Sequence, residues 1–422
     1  MSASDRPERG IVLRPFRAAR PTARSDRLGK LLCPPYDVID AAERRALVAE
    51  DPDNAVTVVL PEPEDGVDRY RAAARRLDRW VRDGHYAVDN SPALFVYEMR
   101  EPAGATTRGL VGALELRDPV DGVILPHENT MAGPVADRLA LMGATDANVE
   151  PIYLVYDGGG PASRAVGSVD DTAPVASATT PDGITHTLWE VIEQATQDAV
   201  AADLITRRAL IADGHHRYAT YRELQRERVA QFGPGPWDYG LTLLVDSTSY
   251  GPQVHAIHRV LPGVALADAV RAVQAFGASV EEVSAPDAGL AELDRHGEFA
   301  VVLTDGQQAV VVSDTEGRIR AGSLRRDEPE ALAGLDVSVL HRGFVERVLG
   351  LEDNVDTVSY AHSADDAVDA ARSAGGIAVL LRPTPVAQVA AVAAAGARMP
   401  RKSTLFTPKP ASGLLMRRFA DA

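Results

Sequence analysis

Cysteine is nearly absent from this 422-residue chain: the one residue, Cys33, excludes an intramolecular disulfide and any zinc site built on cysteine. Lysine is almost as scarce, occurring only at Lys30, Lys402 and Lys409, so arginine carries nearly all the positive charge. Aromatic residues make up 5% of the chain, and nowhere is there an uninterrupted apolar stretch of the roughly 20 residues that a membrane helix needs. The first ten residues hold no apolar segment of the secretory type. These absences together point to a cytoplasmic protein that does not enter a membrane. Net charge is −16 and the isoelectric point about 5.1, which argues against a general nucleic-acid binder, since that function needs a basic face. Any anion site must therefore be a local basic island.

What is present is the composition of an ordinary globular protein, 45% hydrophobic and 25% charged, at a length that calls for two or three folding units. The densest chemistry falls in Leu210 to Tyr221. A short apolar run ends in Asp213-Gly214, followed at once by His215, His216 and Arg217 and then by a helix-like pattern. That reads as strand, tight turn and helix N-terminus, where unpaired amides and the positive end of the helix dipole welcome an anion such as phosphate. Gly214 allows close approach, Arg217 adds a bidentate donor, and the histidines exchange protons near neutral pH.

Along the chain, Ile11–Phe16 reads as a first strand, and the Pro34-Pro35 pair holds a rigid loop that presents Tyr36 and Asp37. Asp40-Ala-Ala-Glu43 resembles a capping box for a helix through about Ala49. Strands are expected at Val56–Leu60, Ala93–Met99, Thr107–Leu116, Val123–Leu125, Pro151–Tyr156, Arg207–Ala212 and Leu241–Asp246. Helices are expected at Val67–Arg82, from Asp137-Arg138 onward, at Thr187–Ala202 and at Tyr218–Val229, with 161–184 as a variable edge or loop. Beyond Pro252 helices alternate with strands: helices near 265–276, 336–349, 363–373 and 385–395, strands at 279–283, 299–304, 308–313, 355–361 and 376–381. The expected fold is thus α+β (mixed α/β), with residues 1–254 as an N-terminal core and 255–422 as a C-terminal α/β domain.

Two further polar clusters stand out. One is His127-Glu128-Asn129-Thr130. The other is Lys402-Ser403-Thr404 with Lys409, in a loop bracketed by prolines and glycines; it lacks the preceding glycines of a Walker phosphate loop. Converging on the turn, these clusters would supply a phosphoryl-transfer site. Backbone amides at Gly214, Arg217, Lys402, Ser403, Thr404, Lys409 and Arg138 would hold phosphate, and Glu128 or Asp213 would bind Mg²⁺ or act as base. His127, His215 and His216 would assist proton movement, and Tyr36, Asp37, Asn129 and Thr130 would contact substrate. A metal-dependent hydrolase on His127, Glu128 and His216 is the competing combination, though no H-x-x-x-H helical spacing is present. His255, His258 and Arg259 read as structural.

Four of these motifs occur together and in order: Pro35-Tyr36-Asp37-Val38; Leu125-Pro126-His127-Glu128-Asn129-Thr130 with Asp137-Arg138; Ala212-Asp213-Gly214-His215-His216-Arg217-Tyr218; and Met399-Pro400-Arg401-Lys402-Ser403-Thr404 with Phe406, Pro408-Lys409 and Gly413. In this the chain resembles the bacterial and archaeal domain-of-unknown-function family 1015, over about residues 11 to 418. The Asp-Gly-His-His-Arg-Tyr segment also looks like the Gly-Cys-His-Arg-Tyr phosphate turn of sulfiredoxin and the corresponding turn of ParB-type nucleotide-binding domains, including the free-serine kinases. That resemblance implies a ParB/sulfiredoxin-like nucleotide-binding core with ATP or another nucleotide held by its phosphates at Gly214 to Arg217. The activity then expected is a kinase using ATP and Mg²⁺ on a small hydroxyl substrate, free L-serine foremost by analogy, and the chain is expected as a monomer or homodimer. His215 stands where sulfiredoxin has its reactive cysteine, so sulfinic-acid reduction is not implied. A nucleotide-binding regulator without turnover is the alternative.

Overall fold

The computed structural model describes residues 10–326, 328–354 and 356–422, and shows a mixed α/β chain divided into two compact units. The first comprises residues up to Pro126, Thr130–Pro252 and Pro408–Ala422; the second comprises His127–Asn129 and Gln253–Thr407. Pro408–Ala422 thus packs with the first unit. The opening residues read above for a secretory segment lie outside the described residues.

A nine-stranded sheet organises the first unit. Its order is Ile124–Leu125, Ala209–Asp213, Ile152–Tyr156, Tyr239–Asp246, Thr106–Glu115, Leu94–Arg100, Thr185–Val191 and Ala176–Thr179, with Leu13–Arg14 added beside Thr106–Glu115. Most pairings are antiparallel, but Ala209–Asp213 runs parallel to Ile124–Leu125, as does Tyr239–Asp246 to Ile152–Tyr156. The central strands are apolar on both faces, because helices cover them; Leu154, Leu244 and Ile211 are fully buried in one core. A second cluster gathers Val56, Leu77, Trp80, Tyr86 and Met416, with Trp80 stacked on Tyr86 at 5.1 Å. The C-terminal strand Arg417–Arg418 pairs with Ala147–Asn148 and so fastens the chain end into this unit.

The second unit carries a six-stranded antiparallel sheet in the order Ser279–Val283, Ala309–Ser313, Ala300–Thr304, Ile377–Leu380, His258–Leu261 and Ser359–Ala361. Helices Leu266–Phe276 and Ala364–Ser373 pack on it through Ala269, Val273, Ala367 and Ala371. A separate pair, Gln253–His255 with Leu405–Thr407, brings His255 Nε2 to 2.7 Å from Thr407 Oγ1. His258 and Arg259 are buried here, as structural residues would be. The strand expected from 355 is observed as Ser359–Ala361; Val355 itself is outside the described residues.

Four local expectations are corrected. Val56–Val59 is a buried helical turn instead of a strand: the Asn54 side chain accepts from the Val56 N–H at 2.8 Å and donates to Lys30 O and Leu32 O, which fixes a helical start that β-branched residues would not choose alone. Thr185–Val191 is a strand and the helix begins only at Gln194; seven-residue antiparallel pairing with Leu94–Arg100, burying His186 and Leu188 on one face and Trp189 and Val191 on the other, overrides the helical reading. Residues 161–184 contain the helix Pro161–Gly167 and the edge strand Ala176–Thr179. Asp137 and Arg138 lie in the middle of the helix Ala132–Thr145, not at its start. Elsewhere Asp40 and Asp68 cap the helices Ala41–Glu50 and Arg69–Arg82 by accepting first-turn N–H bonds.

Candidate functional site

The strand Ala209–Asp213 delivers the site. Its register against Ile152–Tyr156 shifts between Ile211 and Asp213, a bulge that re-aims Asp213 at the end of the strand. Gly214 then adopts φ +91°, a left-handed conformation costly for any residue with a Cβ, and a Cβ there would stand 3.1 Å from Arg217 Nε. The 18-residue helix His215–Phe232 starts at once, and its first turn contains neither an acidic residue nor a capping side chain. Tyr218, Tyr221 and Leu224 bury one stripe of this helix in the sheet core, which sets its direction.

Asp213 is held by two cations. Arg217, one turn on, pairs with its Oδ2, and Lys409 Nζ lies 2.6 Å from Oδ1. Burial alone would raise the Asp213 pKa, but Lys409 and Arg217 outweigh it and bring the carboxyl down to about 2. Burial likewise works against the charge on Lys409, and Asp213 and Asp37 reverse that effect, so its pKa is raised. Asp37 Oδ2 is 4.0 Å from the same ammonium. Pro408 and Pro410 flank Lys409 and stiffen its backbone. Arg217 is 3% exposed and also donates through Nη1 to the Pro151 carbonyl.

Charged and polar groups also surround Glu150, itself 3% exposed. Its Oε1 accepts from the Tyr36 N–H at 3.0 Å and from Ser412 Oγ at 3.2 Å, and its Oε2 is 3.5 Å from Arg138 Nη1. Arg138 lies over the Tyr36 ring at 4.2 Å and donates to the Val59 carbonyl at 2.5 Å. Burial first, then the charge on Asp37, pushes the Tyr36 phenol up to about 12. Tyr221 OH donates to the Glu150 carbonyl at 2.6 Å. A cavity of about 20 Å³, room for one water, is lined by Arg138, Glu150, Arg217 and Tyr221 among others.

The structure therefore brings Tyr36, Asp37, Arg138, Asp213, Gly214, Arg217 and Lys409 into one network. The basic island expected from the sequence is instead balanced: Arg138, Arg217 and Lys409 face Asp37, Asp213 and Glu150. Desolvated cations are stable only when so paired, which is why these side chains meet carboxylates before any ligand arrives. What remains directed at an anion is the opening turn of the helix. His216 Nε2 accepts from the Met131 N–H at 3.0 Å, which places its neutral-state proton on Nδ1, while His215 is buried. Thr130 is exposed and belongs to the first unit; half-buried Glu128 and exposed Asn129 belong to the second.

In the second unit His127 is buried, with Nε2 3.0 Å from Thr404 Oγ1 and its ring 6.1 Å from Phe406. Lys402 is exposed and left-handed, φ +54°, a strained conformation for a non-glycine residue, and Ser403 is buried with its hydroxyl on the Pro400 carbonyl. Sequence reasoning missed Glu150, Ser412 and Tyr221. Glu150 and Ser412 are single polar residues between apolar or glycine neighbours, paired only by the return of Pro408–Ala422 to the first unit, and Tyr221, inside the motif helix, reaches the Glu150 carbonyl across tertiary structure that local pattern does not show.

The helix start at Gly214 has no acidic residue and no capping side chain to compete with an anion. A divalent cation on Asp213 does not fit: both carboxylate oxygens are already engaged by cations, and among the described residues no group of three or more His, Cys, Asp or Glu side chains is placed to hold a metal. Among the described residues no helix is long and apolar enough to cross a membrane.

A mixed α/β protein with a strand, a left-handed glycine and a helix enclosing a balanced ion network is the class that fold and site define. The chain belongs to the family described as protein of unknown function (DUF1015), whose model matches residues 13–338. No curated protein matches it. Among solved structures it is similar to a free serine kinase in complex with AMP, at TM-score 0.33 and 16% identity over 67% of this chain and 83% of that one. It is also similar to a conserved hypothetical protein from Pyrococcus furiosus, at 0.33 and 15% over 71% and 93%. A third is SbnI with C-terminal truncation from Staphylococcus aureus, at 0.36 and 13% over 72% and 85%. Identities and scores of this size carry no activity across.

Proposed function

We propose that this chain is a nucleotide-dependent phosphotransferase acting on a small hydroxyl compound, free L-serine being the first candidate. The observation that carries the reading is the turn itself: Gly214 in a left-handed conformation opens an 18-residue helix whose first turn has no acid and no capping side chain, directly above the Asp213–Lys409–Arg217 network. A phosphate at such a helix start gains about 0.3–2 kcal/mol per charge from the dipole, in addition to its hydrogen bonds to the backbone amides. Arg217 and Asp213 are positioning residues in this reading, since their charges satisfy each other; Lys409, at the surface of the network with 18% of its side chain exposed, is the cation nearest to contacting ligand.

Bound there, a nucleoside triphosphate would supply the phosphoryl group. Glu128, a half-buried carboxylate, is the candidate acceptor of the substrate's hydroxyl proton, with His127, His215 and His216 as the groups able to shuttle it. Tyr36, Asp37, Asn129 and Thr130 remain the candidate substrate contacts, and Lys402, Ser403 and Thr404 a candidate phosphate loop. L-serine rests on the resemblance of the Asp-Gly-His-His-Arg-Tyr segment to the turn of free-serine kinases.

The test is ADP formation by purified protein given ATP and Mg²⁺ with a panel of amino acids and small alcohols, alongside a calorimetric measurement of nucleotide binding. Serine-stimulated turnover is expected, falling by about 10²-fold or more in Glu128→Gln while nucleotide affinity is kept. Binding without turnover on any compound would remove the transferase reading and leave a nucleotide-responsive regulator. Absence of nucleotide binding would remove the phosphate turn as well.

A further inference from the structure

The second unit contains a cleft of about 700 Å³, a size usual for small-molecule sites, that no motif in the sequence marked. One wall is unusually well fixed. Arg382 donates to the carbonyls of Leu293 at 2.9 Å, His296 at 2.5 Å and Glu298 at 2.7 Å, and its Nε lies 2.6 Å from Asp336 Oδ2. All these groups lie in the second unit, and Pro383 and Pro385 stiffen the chain that follows.

The charges of the lining divide into spent and unspent. Asp336 is spent on Arg382, and Glu298 Oε1 sits 3.1 Å from His296 Nδ1. Arg320 forms no close ion pair among the described residues, its charge acting on Asp336 only at longer range, and its guanidinium passes close over Gly334, where a Cβ would stand 3.1 Å from Nη2. Glu330 and Asp294, also in the lining and exposed, form none either. An uncommitted guanidinium and uncommitted carboxylates in one rigid cleft match a ligand that carries both an oxyanion and an ammonium group.

We infer that this cleft binds a zwitterion of the free amino acid class, its carboxylate on Arg320 and its ammonium on Glu330 or Asp294, with room beyond for a bulky side chain. The lining of this cleft belongs to the second unit alone and shares no residue with the phosphotransferase reading.

The probes are L-phenylalanine, L-leucine and L-methionine, which lack a hydroxyl and so cannot be substrates of that reaction, titrated calorimetrically into the full-length protein. Saturable binding of at least one is expected, weakened by about tenfold or more in Arg320→Gln, the value of one charge-assisted hydrogen bond. Ala331→Trp, which fills the cleft without removing a charge, is expected to weaken it likewise, as is N-acetylation of the probe. Glu128→Gln is expected to leave it unchanged. No binding of any probe at millimolar concentration, binding indifferent to both cleft variants, or equal affinity for the N-acetyl form would overturn the assignment.

Discussion

At Asp213 one carboxylate serves two buried or half-buried cations, and the balance decides what each substitution costs. Lys409→Ala leaves Arg217 to neutralise Asp213 alone, so the loss is smaller than for an isolated buried pair; roughly 2 kcal/mol is expected from urea unfolding, against the 3–5 kcal/mol typical when a buried charge loses its only partner. Asp213→Asn is worse at neutral pH, because Arg217 and Lys409 then face each other without a counter-charge. The pH dependence has a definite sign. The folded carboxyl titrates at about 2, below its ordinary value of 3.8, so its stabilising contribution is complete above about pH 4 and is lost as pH falls towards 2. The gap between the urea midpoints of the native chain and Asp213→Asn should therefore narrow below pH 4; a gap that stays constant would mean Asp213 is not held ionised by its neighbours.

Two glycines, one before a helix and one inside the neighbouring helix, separate backbone strain from helix propensity. Gly214 is left-handed and its missing Cβ makes room for Arg217, so Gly214→Ala is expected to cost about 1–2 kcal/mol. Gly143 lies in the helix Ala132–Thr145 with open space around a would-be Cβ, and Gly143→Ala is expected to stabilise by about 0.5–1 kcal/mol. Chemical denaturation of both variants checks the pair; equal effects would show that Gly214 is not there for its conformation. The Gly214 turn was legible in sequence because its cause is local: an apolar run, Asp-Gly, then a helical pattern. The helix at Val56–Val59 was not, since the Asn54 side chain and burial on all sides decide it and neither has a periodic signature. Thr185–Val191 was misread because its partner strand, not its own spacing, selects the extended form. The same distinction holds in the site. The clustered residues were found by proximity in the chain, whereas Glu150 and Ser412, 262 positions apart, meet only through tertiary pairing.

At the scale of the molecule, each unit has its own cores and its own buried histidine that remains neutral. In the first, His186 accepts or donates between Tyr97 OH at 2.7 Å and Thr180 Oγ1 at 3.0 Å; in the second, His258 Nδ1 accepts the Leu381 N–H at 3.2 Å. Burial is the leading cause that lowers both to about 4. The unfolded chain takes up these protons from about pH 6.5 downward and the folded chain does not, so stability is lost progressively as pH falls from about 6.5 towards 4. All three tryptophans, Trp80, Trp189 and Trp237, belong to the first unit, so their emission reports its unfolding, while far-ultraviolet dichroism reports both. His258→Asn keeps an acceptor near the position of Nδ1 but cannot titrate. It is expected to reduce the loss of stability between pH 7 and pH 4.5 in the dichroism transition and to leave the pH response of tryptophan emission as it is in the native chain. If both probes shift together, the two sets of cores unfold as one cooperative body and the histidine of one unit stabilises the other. If neither shifts, His258 is protonated in the folded state and burial does not control its charge.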